Sequence, residues 1–456
     1  MIQNHITEGV IWKQLLLFFF PLLFGSFFQQ LYNTVDALIV GRFVGKEALA
    51  AVGGSAAILT HFFIGFFNGL SAGAAVVIAQ FYGGGSRRRL SDALHTSVML
   101  AVVGGAAFMV IGLIGAPFAL RAMGTPADTL ADSILYIRIF FCGMIANLVY
   151  NMGAGIIRAM GDSRRPLYIL VVSCIINIIL DVFLVVVLHM GVAGVAIATV
   201  ICQVISAAMV LVMLYRLDEQ YALRLNRLKF SSPMLKRIIA IGLPTGIQST
   251  MYSISNIIIQ SAINAFNTDA VSAWAAISKI DSIYWMVISS LGVSITTFVG
   301  QNYGAGLIGR ARSSVRQGLL ISGAATAIIS AMLYIFSLPL VRIFTDDADV
   351  LSLGSYMMRY LVTFYITYFM IEVFNGALRG MGNSFVPMVI TVAGVCILRM
   401  IWIFTALPKN HTILTVMRSY PISWITTSIL LMLYYLMYIH HWHPLHPRRR
   451  QNITEY

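Results

Sequence analysis

The chain has 456 residues, of which 59% are hydrophobic and only 10% are charged, and its mean hydropathy is +0.84. A soluble protein this apolar could not cover its surface with polar groups, so the composition excludes an ordinary soluble enzyme or binding domain. The net charge of +13 does not indicate nucleic-acid binding, because most of the 30 Lys and Arg residues fall in short segments between apolar runs.

Apolar runs of about 20 residues recur along nearly the whole chain, and each is long enough to cross about 30 Å of hydrocarbon as a helix. The sequence therefore predicts an all-α integral membrane protein with 12 transmembrane helices. The predicted spans are 11–40, 48–80, 91–120, 131–157, 166–188, 192–215, 238–266, 271–300, 317–344, 354–378, 386–407 and 412–440.

The two halves of the chain repeat each other at an offset of 221 residues. The segment QFYGGG from Gln80 returns as QNYGAG from Gln301, and GIIRAMGDSRRP from Gly155 returns as GALRGMGNSFVP from Gly376. Each half holds six predicted spans, and an even number inserts both halves in the same orientation. The repeat predicts two six-helix bundles related by a pseudo-twofold axis along the membrane normal, which is typical of a transporter.

The repeat and the polar segment between its copies predict the domain bounds. Residues 1–215 form one six-helix lobe, 216–237 a basic linker, 238–440 the second lobe and 441–456 a tail. The excess of Lys and Arg in the linker, the tail and the loops of the same side places both termini in the cytoplasm. We expect a multi-pass monomer in a bacterial inner membrane that contacts lipid and does not bind nucleic acid.

Two acids in the apolar runs belong to the first half alone. Asp36 corresponds to Ile259 in the second copy, and Asp181 corresponds to Trp402. A carboxylate at the middle of a membrane costs about 2.5–3.5 kcal/mol on insertion scales, so such residues usually have a function. The alternative is that both acids only form hydrogen bonds between helices.

Helical spacing gives these acids polar neighbours. Residues three, four or seven positions apart share one face of a helix. The polar residues that share a face with Asp36 or Asp181, or interrupt the sixth span, are Gln29, Tyr32, Asn33, Ser173, Asn177 and Thr199. Carboxylate, amide and hydroxyl oxygens suit Na⁺ or, when one acid is protonated, a proton.

Polar residues elsewhere in the spans leave alternatives open. Glu372 is a second coupling or substrate site, or the partner of a basic residue, and Lys279 and Asp281 are expected to form separate interhelical pairs. The residues expected to line a substrate cavity are Gln29, Tyr32, Asn33, Tyr252, Asn256 and Glu372.

One glycine-containing segment has a superficial likeness to a phosphate-binding loop. GRFVGKE from Gly41 is one residue too short, and Glu47 stands where Ser or Thr is required. We therefore expect neither ATP nor any other cofactor besides a coupling ion, and a transporter instead of an enzyme.

Several of these motifs together resemble the MATE (multidrug and toxic compound extrusion) transporters. The motifs are NTVDALIVGR in the first span, NIILD in the fifth, and GIIRAMGDSRRP and GALRGMGNS after spans four and ten. The resemblance covers nearly the whole chain. It implies cation-driven antiport of chemically diverse, often cationic compounds, and hence multidrug efflux and antibiotic resistance.

The resemblance also implies roles for particular residues. The family's cation site maps onto Asp36, Asn177, Asp181 and Thr199, where Na⁺ or H⁺ would bind. A first-helix proline that bends on cation binding matches Pro21. The second acid of the site, Asp181, favours the DNA-damage-inducible and archaeal-like subgroup, and the acid that other members carry in helix seven has no counterpart here.

An alternative function within the related superfamily is a flippase for a lipid-linked oligosaccharide or a peptidoglycan precursor. Such a protein is expected to need basic residues in its cavity to hold pyrophosphate. Arg138, Arg359 and Arg399 are the residues that keep this alternative open.

Overall fold

The structure is a computed structural model that describes residues 6–218 and 221–440. Within those residues all regular elements are helical, and no strand is present. The all-α membrane fold predicted from the sequence is confirmed. The predicted tail at 441–456 lies outside the described residues.

The helices match the predicted spans one to one. The first six are α1 (Ile11–Val44), α2 (Lys46–Gly83), α3 (Arg87–Ala122), α4 (Ala127–Cys142 and Met144–Ala159), α5 (Arg164–Val187) and α6 (Gly191–Tyr215). The others are α7 (Ser232–Asn264), α8 (Thr268–Gly304), α9 (Ile308–Ile335), α10 (Ala348–Gly380), α11 (Phe385–Ala406) and α12 (Ile413–His440). A 3₁₀ turn, Leu225–Arg227, precedes α7, and a short helix, Ser337–Arg342, follows α9.

Most of these helices are apolar enough to span a membrane. Among the described residues, 10 helices pass by length and composition, and α4, bent by 51° at its break, makes an eleventh. The helix α7 has 33 residues, but it is more polar because residues such as Thr245 and Gln248 interrupt its apolar run. The ninth span begins at Ile308 and not near 317 as predicted, since the charged residues of its first turns are also helical.

Three helices contain a π-helical turn, which is a rare feature that often marks a functional site. These turns are Val40–Val44 in α1, Val182–Val187 in α5 and Val392–Ile397 in α11. Asp181 is the last α-helical residue before the turn in α5, and Asp36 lies one helical turn before that in α1. Both acids of the first half therefore stand beside a local change in helical winding.

Packing divides the described chain into two compact units. Unit 1 consists of Leu17–Ala75 and Arg88–Ile254, and unit 2 consists of 6–16, Val76–Arg87 and 255–440. The division passes through α1, α2 and α7. The domain bounds derived from the repeat stay a prediction.

Within unit 1, glycines allow the backbones of α2 and α7 to touch. A Cβ atom on Gly69 would lie 2.2 Å from the backbone nitrogen of Gly246, and one on Gly73 would lie 2.5 Å from that of Gly242. Membrane helices associate through such small residues because lipid provides no hydrophobic drive for helix pairing.

Candidate functional site

Three helices of unit 1 bring the predicted coupling residues together. Asp36 comes from α1, Asn177 and Asp181 from α5, and Thr199 from α6. The carboxyl group of Asp36 lies next to the carboxyl group of Asp181 and the hydroxyl group of Thr199. The four residues that the sequence places far apart therefore form one cluster.

An aliphatic cluster next to these residues fixes the ends of the three helices. Buried residues of α1, α2, α5 and α6 pack against each other there, and Tyr136 of α4 packs on them. The buried members are Ile39, Val40, Ala48, Val185, Val192 and Val195. Asp181 lies one helical turn before Val185, and Thr199 lies one turn after Val195. The contact of α5 and α6 through this cluster therefore also brings the two polar residues near each other.

The polar groups of the site are removed from solvent. Exposure is 2% for Asn177, 0% for Asp181 and 5% for Thr199, while Asp36 is half-buried. The Thr199 hydroxyl donates to the Val195 carbonyl at 3.0 Å, so its oxygen lone pairs remain available to a ligand.

Most polar atoms of this cluster lack a hydrogen bond of normal geometry in the part of the chain that the structure describes. They are one carboxylate oxygen of Asp36, both carboxylate oxygens of Asp181 and both amide atoms of Asn177. No salt bridge links either acid to a Lys or Arg of the described residues. Buried polar atoms nearly always have a hydrogen-bond partner, so we expect this cluster to bind a ligand that supplies the missing partners.

A bound cation would provide a partner for the unpaired oxygens of this cluster. Two neighbouring carboxyl groups in apolar surroundings cannot both carry a negative charge unless a proton or a metal ion compensates it. The donor set holds two acids and neutral oxygens, and no group of three or more His, Cys, Asp or Glu residues suited to a metal occurs among the described residues. Carboxylate, amide and hydroxyl oxygens are ligands of hard cations.

Two tyrosines lie within electrostatic range of this cluster. The sequence places Tyr32 on the face of α1 that carries Asp36, whereas it does not single out Tyr136. Tyr136 of α4 interacts with Asp36 and Asp181, and Tyr32 of α1 interacts with Asp36. Tyr136 lies in the bent helix α4, and nothing in its local sequence distinguishes it from other aromatic residues of the spans.

The remaining predicted cavity residues are spread over both units. Gln29 and Asn33 are exposed on α1, Asn256 is exposed on α7, and Tyr252 is half-buried. Glu372 of α10 is half-buried, and its carboxyl group fills the space that a side chain on Gly292 of α8 would need. Pro21 lies inside α1, as the hinge prediction requires.

Unit 2 contains a buried acid that differs from its prediction. Asp281 of α8 is 8% exposed and forms no salt bridge within the described residues, so the expected interhelical ion pair is absent. Its carboxyl group lies beside the hydroxyl of Tyr365, and one of its oxygens has no hydrogen-bond partner in those residues. Lys279, two residues before it, is exposed because that position lies on another face of α8.

Aromatic rings enclose Asp281. Tyr284 stacks on Tyr365 with ring centroids 4.1 Å apart and donates a hydrogen bond to the Tyr365 carbonyl at 3.2 Å. The other rings of this cluster are Trp285, Tyr368, Tyr420 and Trp424. Asp281 therefore lies beside a cluster of stacked aromatic rings in unit 2.

The three arginines relevant to a flippase have different surroundings. Arg399 is 3% exposed inside unit 2, where its guanidinium lies 4.2 Å from the Tyr420 ring centroid and donates to Ser423 at 3.3 Å. Arg359 donates to Ser337 at 2.8 Å and lies over Tyr334, and Arg138 is exposed. Arg399 and Arg359 thus have local partners within unit 2.

Comparison with known proteins identifies relatives along both halves. The profile of the MatE family matches residues 21–183 and 244–405. The chain is 27% identical over 401 residues to the probable multidrug resistance protein YoeA of Bacillus subtilis (strain 168), which covers 86% of each chain. It is 26% identical over 407 residues to the probable multidrug resistance protein YpnP of the same organism, covering 88% of this chain and 89% of the relative.

A solved structure shares the fold. It is described as the outward-facing conformation of a multidrug resistance MATE family transporter of the MOP superfamily. The TM-score is 0.89 at 22% sequence identity, over 96% of this chain and 98% of the other.

Proposed function

Because the chain belongs to the MatE family, we propose that it is an H⁺- or Na⁺-coupled antiporter that exports diverse, often cationic, small molecules by alternating access. Family membership makes it a transporter and not an enzyme, and a flippase is not favoured. The observation that carries the coupling is the pair of Asp36 and Asp181. One Asp36 oxygen and both Asp181 oxygens lack a hydrogen-bond partner, and neither acid forms a salt bridge within the described residues.

Coupling follows from the charge of this pair. A cation that enters neutralises the carboxylates, and Asn177 and Thr199 supply further oxygens for it. The empty pair repels itself, so the loaded and empty states favour different positions of α1 relative to α5. Inward movement of one positive charge supplies about 2.3 kcal/mol per 100 mV of membrane potential.

Pro21 is the proposed hinge of this movement. Proline has no backbone N–H, so one hydrogen bond of α1 is missing, and its ring crowds the preceding turn. It lies about four helical turns before Asp36 on the same helix. A change at the cation site can therefore bend α1 at its weakest point.

The first experiment measures efflux of a fluorescent organic cation from proteoliposomes. Asp36→Asn and Asp181→Asn keep the size of each side chain. Both variants are expected to lose gradient-driven export but still to bind the fluorescent substrate. Asp128→Asn, at an exposed acid in the first turn of α4, is the matched control and should export normally. Normal export by the Asp36→Asn protein at wild-type abundance would refute the coupling role.

The second experiment identifies the ion and the charge of the substrate. Na⁺ and pH gradients are imposed separately, each with a fluorescent cation and a fluorescent anion of similar size as cargo. The proposal expects one of the two gradients to drive export, and the cation to be exported in preference. Export of the anion alone would overturn the assignment of cationic substrates.

The same proposal places the protein in a bacterial inner membrane as a monomer with both termini cytoplasmic. The basic segments, such as Arg87–Arg89, support this orientation through the positive-inside rule. Labelling of a single engineered cysteine at Ser231 from either side of sealed vesicles tests it, and labelling from outside in intact cells would contradict it.

A further inference from the structure

A groove lies on unit 1 where α5 begins and α6 ends. Its volume is about 650 Å³, which falls in the range of about 300–1,000 Å³ for small-molecule sites. Ser173 of α5 and Ser206 of α6 hydrogen-bond to each other at 2.5 Å one level deeper in the bundle. The residues that line the groove are Arg165, Tyr168, Ala208, Met209, Val212, Met213 and Arg216.

The groove is positively charged at its mouth. Arg165 forms a salt bridge of 3.2 Å with Asp162, whose other carboxylate oxygen accepts the backbone N–H groups of Arg164 and Arg165 at 2.9 and 3.1 Å. Asp162 thereby fixes Arg165 at the helix N-terminus, where the helix dipole adds positive potential. Arg216, exposed at the end of α6, supplies the second guanidinium.

An apolar track runs from the groove along the same two helices. Its members are exposed although they are large and apolar. On α5 they recur every three or four residues, and on α6 they are three and eight residues apart, so each set lies on one helix face. They are Tyr168, Val172, Ile175 and Ile179 on α5 and Ile201, Val204 and Val212 on α6. Residues 168–179 span about 16 Å, which is about half of the 30 Å hydrocarbon core and so the depth of one leaflet.

We propose that this groove binds the phosphate headgroup of an anionic phospholipid whose acyl chains lie along the track. Basic pockets between membrane helices bind such headgroups. Tyr168, 58% exposed at the boundary between the charged mouth and the apolar track, is an amphipathic ring of the kind found at membrane interfaces. The groove shares no lining residue with the proposed coupling site or with the predicted substrate cavity. The bound lipid would brace the first turns of α5, the helix that carries Asn177 and Asp181.

The test is native mass spectrometry of the full chain with added phosphatidylglycerol or phosphatidylcholine. Wild-type protein is expected to bind phosphatidylglycerol in preference, and Arg216→Gln should weaken that binding about fivefold, since a basic residue near a membrane surface contributes about 1 kcal/mol. Arg165→Gln/Arg216→Gln should lose most of the preference. Arg164→Gln/Arg227→Gln removes the same charge from residues that do not line the groove and should retain it.

A second variant separates the groove from general surface charge. Ala208→Trp fills the groove without changing any charge and should reduce phosphatidylglycerol binding as strongly as the loss of Arg216. Equal loss in the Arg164→Gln/Arg227→Gln control, or full binding by Ala208→Trp, would overturn the site. Displacement of the lipid by inorganic phosphate alone would overturn the role of the acyl track.

Discussion

The glycines of the repeated motif QFYGGG and QNYGAG hold α2 and α8 in backbone contact inside unit 2. A Cβ atom on Gly304 would lie 1.9 Å from the Gln80 carbonyl oxygen, and one on Gly83 would lie 2.0 Å from the Gln301 carbonyl oxygen. The two motifs therefore interlock reciprocally. Nearby, the Gln80 side chain donates to the Gly380 carbonyl at 2.8 Å, so α10 is tied to the same point.

The perturbation is Gly304→Ala, which adds one methyl group at this contact. The added carbon must move from 1.9 Å to at least 3.0 Å, and the obstacle is backbone, which cannot rotate away. Overpacking of this kind costs about 1–3 kcal/mol, against a gain of up to about 1 kcal/mol from replacing a helical glycine with alanine. With the full gain from alanine, the net loss is up to about 2 kcal/mol, and a greater loss is expected for Gly304→Val.

The assay is the melting temperature of detergent-solubilised protein, followed by intrinsic fluorescence. Gly115→Ala in α3 and Gly309→Ala in α9 are matched controls, because both glycines are helical. Apart from the backbone of its own helix, no described atom lies within 4 Å of the added carbon. The controls should be as stable as wild type or slightly more stable. A Gly304→Ala protein that melts with the controls would refute the inferred backbone contact.

Three further changes have defined outcomes. Asn267→Ala removes the side chain that accepts the Ala270 N–H at 3.1 Å at the start of α8, so it should cost about 1 kcal/mol in chemical unfolding, and Asn267→Asp should restore most of it. Asp281→Asn replaces a buried acid that has no salt bridge in the described residues with a neutral group, so the melting temperature should stay equal or rise, and a large fall would indicate a missed charge partner. Arg310→Gln removes hydrogen bonds of 3.2 and 2.8 Å to the carbonyls of Ile6 and Gly9, so amide hydrogen exchange at residues 6–9 should accelerate. The control is Arg312→Gln, which instead loses a hydrogen bond to the Ile439 carbonyl. It should leave the exchange rate at residues 6–9 unchanged.

Several features of the candidate site were predictable, and others were not. The acid positions follow from the sequence because a carboxylate inside an apolar run is conspicuous, and Asn177 follows from its spacing to Asp181. Thr199 stands out because it interrupts the apolar run of the sixth span, and the family resemblance assigns it to the same site as the two acids. Tyr136 could not be assigned, because an aromatic residue in a membrane span is too common to signal a role, and Asp281 was expected to pair with a base that the fold does not bring to it.

The sequence by itself determined the membrane class, the 12 helical segments and the duplication, because hydropathy and repeat spacing are local or linear properties of the chain. Only the tertiary structure decided that Asp36 lies next to Asp181, that Asp281 lies beside the stacked ring of Tyr365, and that the division between the compact units passes through α1, α2 and α7. Helical periodicity fixes which face a side chain occupies. Close packing between segments distant in sequence, such as the glycine contacts, decides which helix that face meets. A pattern along the chain does not carry this information.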